Sequence, residues 1–297
     1  MLITEVPRPT FDPRLQSSRN VFADTFGRLS DEEWTEILIR SIEEHTIDGV
    51  EFPTFPSADF QNKIHGHNGA VSIRGAMTFR KFVVERGLIS RADGYLLDFG
   101  CGWGRITRAF LRDFPLKHII GYEPDGAFVT LARAHNPFVT VFSGDFLPDR
   151  SLPAARFDLI VGWSVFSHLS EISASAWLTE IARVLAPGGH AVFTTWGDRF
   201  LKRLHGERRM MEAGEDIHWY SRVCIDAAGD IDCLIRRYQA GEFVWFTGGK
   251  STLYGEAFLS EAVLRAWIKL LNLPLQLIEF DRASLSQDAF VLRRTIL

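Results

Sequence analysis

Three glycines at alternate positions follow an apolar run that ends in an acid: Leu96–Leu97–Asp98–Phe99–Gly100–Cys101–Gly102–Trp103–Gly104–Arg105. Glycine permits a sharp turn and lets a ligand approach the main chain where a Cβ would stand in the way. A helix opening after such a turn offers unpaired N–H groups and the positive end of its dipole, which suits a carboxylate or a phosphate. The register narrows the choice. In the dinucleotide fingerprint the third glycine lies three residues after the second. Here that position is Arg105, and Gly104 comes one step early. The arginine argues against a nicotinamide or flavin dinucleotide. No Gly-Lys-Ser/Thr follows, so a cradle for a nucleoside triphosphate is disfavoured as well.

Other residues with chemistry to offer lie further along. Glu123 ends the run Gly121–Tyr122–Glu123, Asp145 and Phe146 end Ser143–Gly144–Asp145–Phe146, and His168 follows Trp163–Ser164–Val165–Phe166–Ser167. His65 and His67 sit in a glycine-containing stretch before the glycine turn, and His218 stands beside Trp219 and Tyr220. Histidine is the side chain best suited to take a proton near neutral pH. Arg199, Lys202, Arg203, Arg208 and Arg209 read either as a solvated helix face or as a clamp for an anion. Cys101, Cys224 and Cys233 form no Cys-x-x-Cys pair, and nothing has metal-ligand spacing, so no metal is expected. Cys101 reads as a small filler within the turn.

These residues need elements to position them. From Tyr95 short apolar runs alternate with amphipathic stretches: YLLDF, RITRAFLRDF, HIIGYE, GAFVTLARAH, FVTVF, FDLIVGW, SASAWLTEIARVL, HAVFTTW. Strands alternating with helices indicate βαβ units and a parallel sheet covered on both faces. Two more strands, 275–280 and 289–294, are joined by only eight residues, too few for a parallel crossover. The expected fold is therefore α/β: a seven-stranded, mostly parallel, doubly wound sheet with an antiparallel last strand. Residues 1–90 read as an N-terminal extension with helices and a substrate-side loop, and 91–297 as the main domain. Within the extension, residues 1 to 29 read as irregular, Ser30 and Glu33 as a capping box, 49–69 as loop and 74–86 as helix. Residues 198–257 break the rhythm after the fifth strand and read as an insertion that serves as a lid. Residues 55–70 and 198–250 together are expected to roof the carboxyl edge of the sheet and hold the acceptor. Ser260 is expected to cap a helix that presents Val263, Leu264, Trp267 and Leu271 on one face.

Composition excludes several classes. The chain has 297 residues, 46% hydrophobic, and a formal net charge of −4. Without a basic excess, neither nucleic acid nor an anionic membrane is an expected partner. No run approaches the length that spans a bilayer, and the first residues lack the apolar core of a signal peptide. A reducing, cytoplasmic setting is the simplest expectation.

The glycine segment resembles motif I of the class I S-adenosylmethionine-dependent methyltransferases, LDxGCGxGR. Later landmarks of that family recur in order at Glu123, at Asp145–Phe146, at Phe157–Val161 with Trp163–Leu169, and at Leu185–His190. The resemblance covers 95–196 and, more loosely, the terminal strand pair. It implies S-adenosylmethionine as cofactor, held by Asp98, Gly100, Cys101, Gly102, Gly104, Glu123, Asp145, Phe146 and Trp163. Glu123 would accept from the ribose hydroxyls and Asp145 from the adenine amine, with Phe146 against the ring and Asp98 ordering the loop near the methionine amine; Asp125 reads as a helix N-cap. His168, His65 and His67 are the candidate proton acceptors. The implied activity is methyl transfer to O or N of a small molecule or sugar-containing acceptor. A non-catalytic S-adenosylmethionine-binding protein and a nicotinamide-dependent oxidoreductase stand as alternatives, and a homo-oligomer is left open.

Overall fold

The computed structural model describes residues 20–91, 93–249 and 251–296. Pro7, Pro9 and Pro13, which suggested irregular chain, lie outside the described residues. The chain divides into two compact units, Met1–Asp145 with Ser151–Val161, and Phe146–Arg150 with Gly162–Leu297.

In the first unit, helices α1 (Val21–Phe26) and α2 (Asp31–Arg40) precede a small hairpin, β1 (Thr46–Ile47) and β2 (Val50–Glu51). Helices α3 (Ala58–His65) and α4 (Gly69–Glu85) follow. The alternating part is β3 (Leu96–Phe99), α5 (Arg105–Ala109), β4 (Ile119–Glu123), α6 (Gly126–His135), β5 (Thr140–Ser143) and β6 (Phe157–Gly162). Strand β3 pairs in parallel with β4 and β6, and β4 with β5. All four residues of β3 are buried, as a strand covered on both faces requires.

The second unit opens with α7 (Glu171–Val184) and the long strand β7 (Leu185–Thr195). Three helices follow, α8 (Asp198–Glu212), α9 (Trp219–Ala228) and α10 (Ile231–Gln239), then the antiparallel strands β8 (Val244–Phe246) and β9 (Glu256–Phe258). Helix α11 (Glu261–Leu270) leads to β10 (Leu275–Asp281) and β11 (Asp288–Arg294). Strand β11 runs antiparallel to both β7 and β10. The seven-stranded sheet has the order β10-β11-β7-β6-β3-β4-β5. The mostly parallel α/β sheet read from the sequence is present, with the last strand antiparallel and lying between the fifth and sixth.

Local chemistry accounts for several helix ends. Ser30 and Glu33 form the expected capping box on α2. Ser260 accepts from Val263 N, and Val263, Leu264 and Trp267 are buried on α11, whereas Leu271 falls outside that helix and is exposed. Other details differ from the sequence reading. Val21–Phe26 is helical because Asn20 caps it, accepting from Phe22 N and Ala23 N. The stretch 49–69 is not all loop: Ser57 caps α3 by accepting from Phe60 N, and α4 begins at Gly69 rather than Arg74. The expected ten-residue helix after the glycine turn is only five residues long. Its continuation is held by other bonds: Trp34 Nε1 donates to Ala109 O, and Asn20 Nδ2 to Leu111 O and Phe114 O. The insertion is mostly helical, and α8, α9 and α10 share a small core around Leu201, Leu204, Ile225, Ile231 and Leu234. Among the described residues no helix is long and apolar enough to cross a membrane.

One ion cluster ties the N-terminal helices to the chain after α5. Arg80 on α4 donates through Nε and Nη2 to both oxygens of Asp113 (2.7 and 2.6 Å) and through Nη1 to Asp31 (2.7 Å). Arg112 also pairs with Asp31. The Arg80 side chain is 4% exposed and that of Asp113 13%, so removing the arginine leaves the Asp113 carboxylate largely shielded from water without the cation that pairs with it, while Asp31 keeps Arg112. Arg80→Ala should cost about 3 kcal/mol, the lower end for a broken buried pair. Urea denaturation of the two proteins measures it, and an unchanged midpoint contradicts the assignment.

Candidate functional site

The glycine turn is built by the neighbouring strand. Gly100 N and Cys101 N both donate to Tyr122 O (2.9 and 3.1 Å), and Gly102 N donates to the Glu123 carboxylate (2.9 Å). The other Glu123 oxygen accepts from Asp125 N (3.0 Å). Three consecutive N–H groups of the turn therefore end on β4 rather than standing free. The two outer glycines of the segment after Gly100 serve different ends. Gly104, at φ +89°, has no room for a side chain, because a Cβ would lie 2.4 Å from Asn136 Nδ2. Gly102, at φ +55°, faces open space, its nearest neighbour being Phe128 Cδ1 at 3.9 Å. A ligand can meet the main chain at Gly102, beside a buried carboxylate.

Asp98, next to last in β3, is 1% exposed. Its Oδ2 accepts from Thr107 N (2.9 Å) and Thr107 Oγ1 (2.6 Å). It thus caps the first turn of α5 from the strand end, and the loop-ordering role is the one its contacts support. A helix of five residues contributes little dipole, and one of its N–H groups is already used by Asp98. Burial raises the Asp98 carboxyl to about 6, against the lowering by both Thr107 bonds and Arg105. Burial also raises Glu123, opposed by its bonds from Asp125 N and Gly102 N. Cys101 is buried with its Sγ packed over Gly121, and burial lifts its thiol well above the usual range. It fills space, as read. Asp125 is the N-cap of α6.

The segment before the turn leans on it. Phe55 packs on Trp103 and Phe60 on Phe128, with centroids 6.0 and 5.8 Å apart. Arg108 donates to Pro53 O and Thr54 O and lies over the Phe55 and Trp103 rings. Burial alone pushes Arg108 down to about 9, so it keeps its charge at neutral pH. The sequence reading passed over this arginine. His67 is half-buried, and its Nε2 and Arg105 Nη1 each lie close to where a Cβ on Gly75 would stand. His65 ends α3, and its side chain lies outside the described ones.

Asp145 is exposed, its main chain clamped by the Tyr122 hydroxyl, which donates to Asp145 O and accepts from Asp145 N, both at 2.9 Å. In the second unit Phe146 and Trp163 are half-buried, and Phe146 O accepts from Ser173 Oγ and Trp177 Nε1. His168 is also in that unit. Its Nδ1 lies 2.9 Å from Gly255 O and 3.7 Å from a Glu256 oxygen, and its ring stacks on Tyr254. A carbonyl only accepts, so neutral His168 carries its proton on Nδ1 and leaves Nε2 as the accepting nitrogen, 3.4 Å from Ser164 Oγ. Glu256 in turn accepts from Tyr220 Oη (2.8 Å) and Trp196 Nε1 (2.9 Å). His218 is exposed and caps α9 instead. Arg199, Lys202, Arg203 and Arg208 each pair with a carboxylate of their own unit, as a solvated helix face does.

Residues 96–189 match a family model described as a methyltransferase domain. The matched stretch begins with β3 and holds the glycine turn, Glu123, Asp145 and His168. An uncharacterised methyltransferase of Oceanobacillus iheyensis is 31% identical to it over 108 residues, 36% of this chain and 48% of that protein. A malonyl-[acyl-carrier protein] O-methyltransferase of Hahella chejuensis is 25% identical over 143 residues, 48% of this chain and 50% of that protein. The chain spans about half the length of these curated relatives. An S-adenosylmethionine-dependent methyltransferase of Clostridium acetobutylicum shares the fold, with a TM-score of 0.50 at 11% identity over 80% of this chain and 97% of that one. The open face of Gly102 beside Glu123 suits a hydroxyl-bearing cofactor, since a carboxylate has about four acceptor sites and Gly102 N and Asp125 N occupy two of those on Glu123.

The buried acid near the end of β3 sets a pH dependence. Its unfolded value is 3.8 and its folded value about 6. As pH rises, the unfolded chain ionises Asp98 first, so the stability Asp98 contributes is full below pH 3.8 and is lost by about pH 6. The loss is about 3 kcal/mol at most. Asp98→Asn should remove this slope. Guanidinium midpoints across that window should fall for the wild type relative to the variant, and parallel curves count against it.

Proposed function

We propose that the chain transfers a methyl group from S-adenosylmethionine to an oxygen or nitrogen of a small-molecule or sugar-containing acceptor. The observation that carries the cofactor part is the open main chain at Gly102 next to the half-satisfied Glu123 carboxylate. In this reading Glu123 accepts from the two ribose hydroxyls, Asp145 from the adenine amine, and Phe146 and Trp163 give apolar contact. Bound S-adenosylmethionine supplies a methyl group on a sulfonium, which an acceptor lone pair displaces in line while the C–S electron pair returns to sulfur. Alignment is the larger part of such catalysis and is worth several kcal/mol.

The acceptor's proton needs a destination, and His168 Nε2 is the group we assign. The segment bearing His168 leaves the carboxyl end of β6, which pairs in parallel with β3, and open α/β sheets bind ligands beyond that edge. The O-methyltransferase among the relatives favours oxygen as the acceptor atom. Residues 55–70 and 198–257 are proposed as the acceptor-side elements, and the setting as cytoplasmic. A proton acceptor typically contributes about 10²–10⁴-fold.

Two measurements test this. Glu123→Ala should weaken S-adenosylmethionine binding by about 1.5–3 kcal/mol, or about 10- to 150-fold by calorimetry. Unchanged affinity assigns Glu123 to the turn alone. Incubation with a metabolite extract should yield S-adenosylhomocysteine and a product heavier by one methyl group. With that acceptor, His168→Gln should lower turnover by about 10²-fold or more while S-adenosylmethionine affinity stays the same. Equal turnover removes His168 from the mechanism.

A further inference from the structure

His168 is held from two sides, and the directions of the bonds follow from the donors available. On one side stands a closed ring of polar groups. Ser164 N donates to Thr194 Oγ1 (2.7 Å), so the Thr194 hydroxyl donates to Gln287 Oε1 (2.6 Å), and Gln287 Nε2 donates to Ser164 Oγ (2.8 Å). Ser164 has φ +60°, a backbone state that residues other than glycine rarely adopt. Its hydroxyl proton is left for Ser167 Oγ (2.8 Å) or His168 Nε2 (3.4 Å).

On the other side is the strip 253–257. Gly255 N donates to His168 O (2.8 Å), Ala257 N to Ser167 O (2.8 Å), and Ser170 N to Leu253 O (3.0 Å). This pairing brings Gly255 O onto Nδ1 and sets the Glu256 carboxylate 3.7 Å from it. That distance is too long for a shared proton, so Glu256 acts on the ring by its charge. The carboxylate is itself held, with side-chain exposure of 16%, by Tyr220 Oη on α9 and by Trp196 Nε1 just after β7. The other titratable groups close to Glu256 are Tyr220 and Cys224 on α9 and Tyr254 on the strip. Burial and the Glu256 charge raise the Tyr220 hydroxyl far above its usual value and the Cys224 thiol to about 12, so both stay neutral.

We propose that Glu256 is a positioning residue for His168, holding a negative charge beside Nδ1–H that favours the imidazolium formed when Nε2 takes a proton, with Tyr220 and Trp196 fixing the carboxylate there. The inference rests on the reading of His168 as proton acceptor. It ties the helical insertion to the proton-transfer group, because Tyr220 belongs to α9 and the strip follows the insertion's own strand β8. At Nε2 a proton is gained from the acceptor and later released to solvent.

The test reads the histidine itself and needs no acceptor. In the ¹⁵N-labelled chain, the His168 imidazole signals are assigned by their loss in His168→Gln. Wild-type neutral His168 should show a protonated Nδ1 and a bare Nε2. In Glu256→Gln the titration midpoint of His168 should fall by about half a unit or more, at least a threefold loss of proton affinity. Tyr220→Phe, which keeps the carboxylate but removes one of its donors, should give a smaller fall. A midpoint equal to the wild type's in Glu256→Gln, or a wild-type proton on Nε2, overturns the proposal. If Glu256→Gln does not fold, an unchanged midpoint in Tyr220→Phe overturns it equally. S-adenosylmethionine affinity, measured by calorimetry in the same proteins, should be equal in all of them. Absence of binding by the wild type sinks the methyltransferase reading while leaving the coupling of Glu256 to His168 intact.

Discussion

The end of β4 does more than any other feature to shape the glycine turn. Tyr122 O receives two N–H groups and the Glu123 carboxylate a third, all from the turn after β3. Each bond from a backbone N–H to a carboxylate is stronger than a neutral one, about 1.5–3 kcal/mol. The cost is burial of the charge, which shows as the raised Glu123 carboxyl. The same two residues organise the far side as well: Glu123 takes Asp125 N at the start of α6, and the Tyr122 hydroxyl clamps the Asp145 main chain. Turn, helix start and the end of the third parallel strand are thus referred to one dipeptide. A ligand meeting Gly102 meets a surface whose shape is already fixed.

Asp98 illustrates the opposite balance. Its two bonds to Thr107 do not offset complete burial, and its carboxyl rises to about 6. The return is a start for α5. A five-residue helix cannot stand alone in water, since nucleation is unfavourable and only a single turn is gained. Asp98 closes its beginning. Asn20 and Trp34, from the helices that precede the core, accept responsibility for the carbonyls beyond its end. The N-terminal extension therefore completes the segment that follows the glycine turn rather than merely preceding it.

What could be read in advance follows from where the information lies. The strands β3, β4, β6 and β7 were legible because a strand buried on both faces must be apolar throughout. The caps at Ser30, Asp125 and Ser260 were legible because their partners lie within three residues. The length of α5 was not, because apolar spacing continues through Phe110, Leu111 and Phe114 while bonds from Asn20 and Trp34, about ninety and seventy-five residues away, decide where the helix stops. In the insertion, Ile231, Leu234 and Tyr238 do repeat at helical spacing behind the N-cap Asp230. That signal was obscured by the dense charge around it. The arginines there were ambiguous from composition, and carboxylate partners at i+4 for Arg203 and Arg208, and at Asp288 for Arg199, favour a helix face for those three.

His168 marks the limit of local reading. Its position after β6 can be seen in the sequence, but the bond that fixes its tautomer comes from a main-chain carbonyl eighty-seven residues later. A carbonyl leaves no trace in residue identity. What does leave a trace is the space that lets the carbonyl arrive: a Cβ on Gly255 would stand 2.3 Å from Phe246 O and 3.0 Å from the Trp245 ring. Strand β8 thus presses on the strip from behind while Ser167 and His168 pair with it from the front. Squeezed between them, the strip has one register available, and that register delivers both the carbonyl that orients the imidazole and the carboxylate that stands beside it. The insertion earns its place in the fold by holding that register, whatever else it covers.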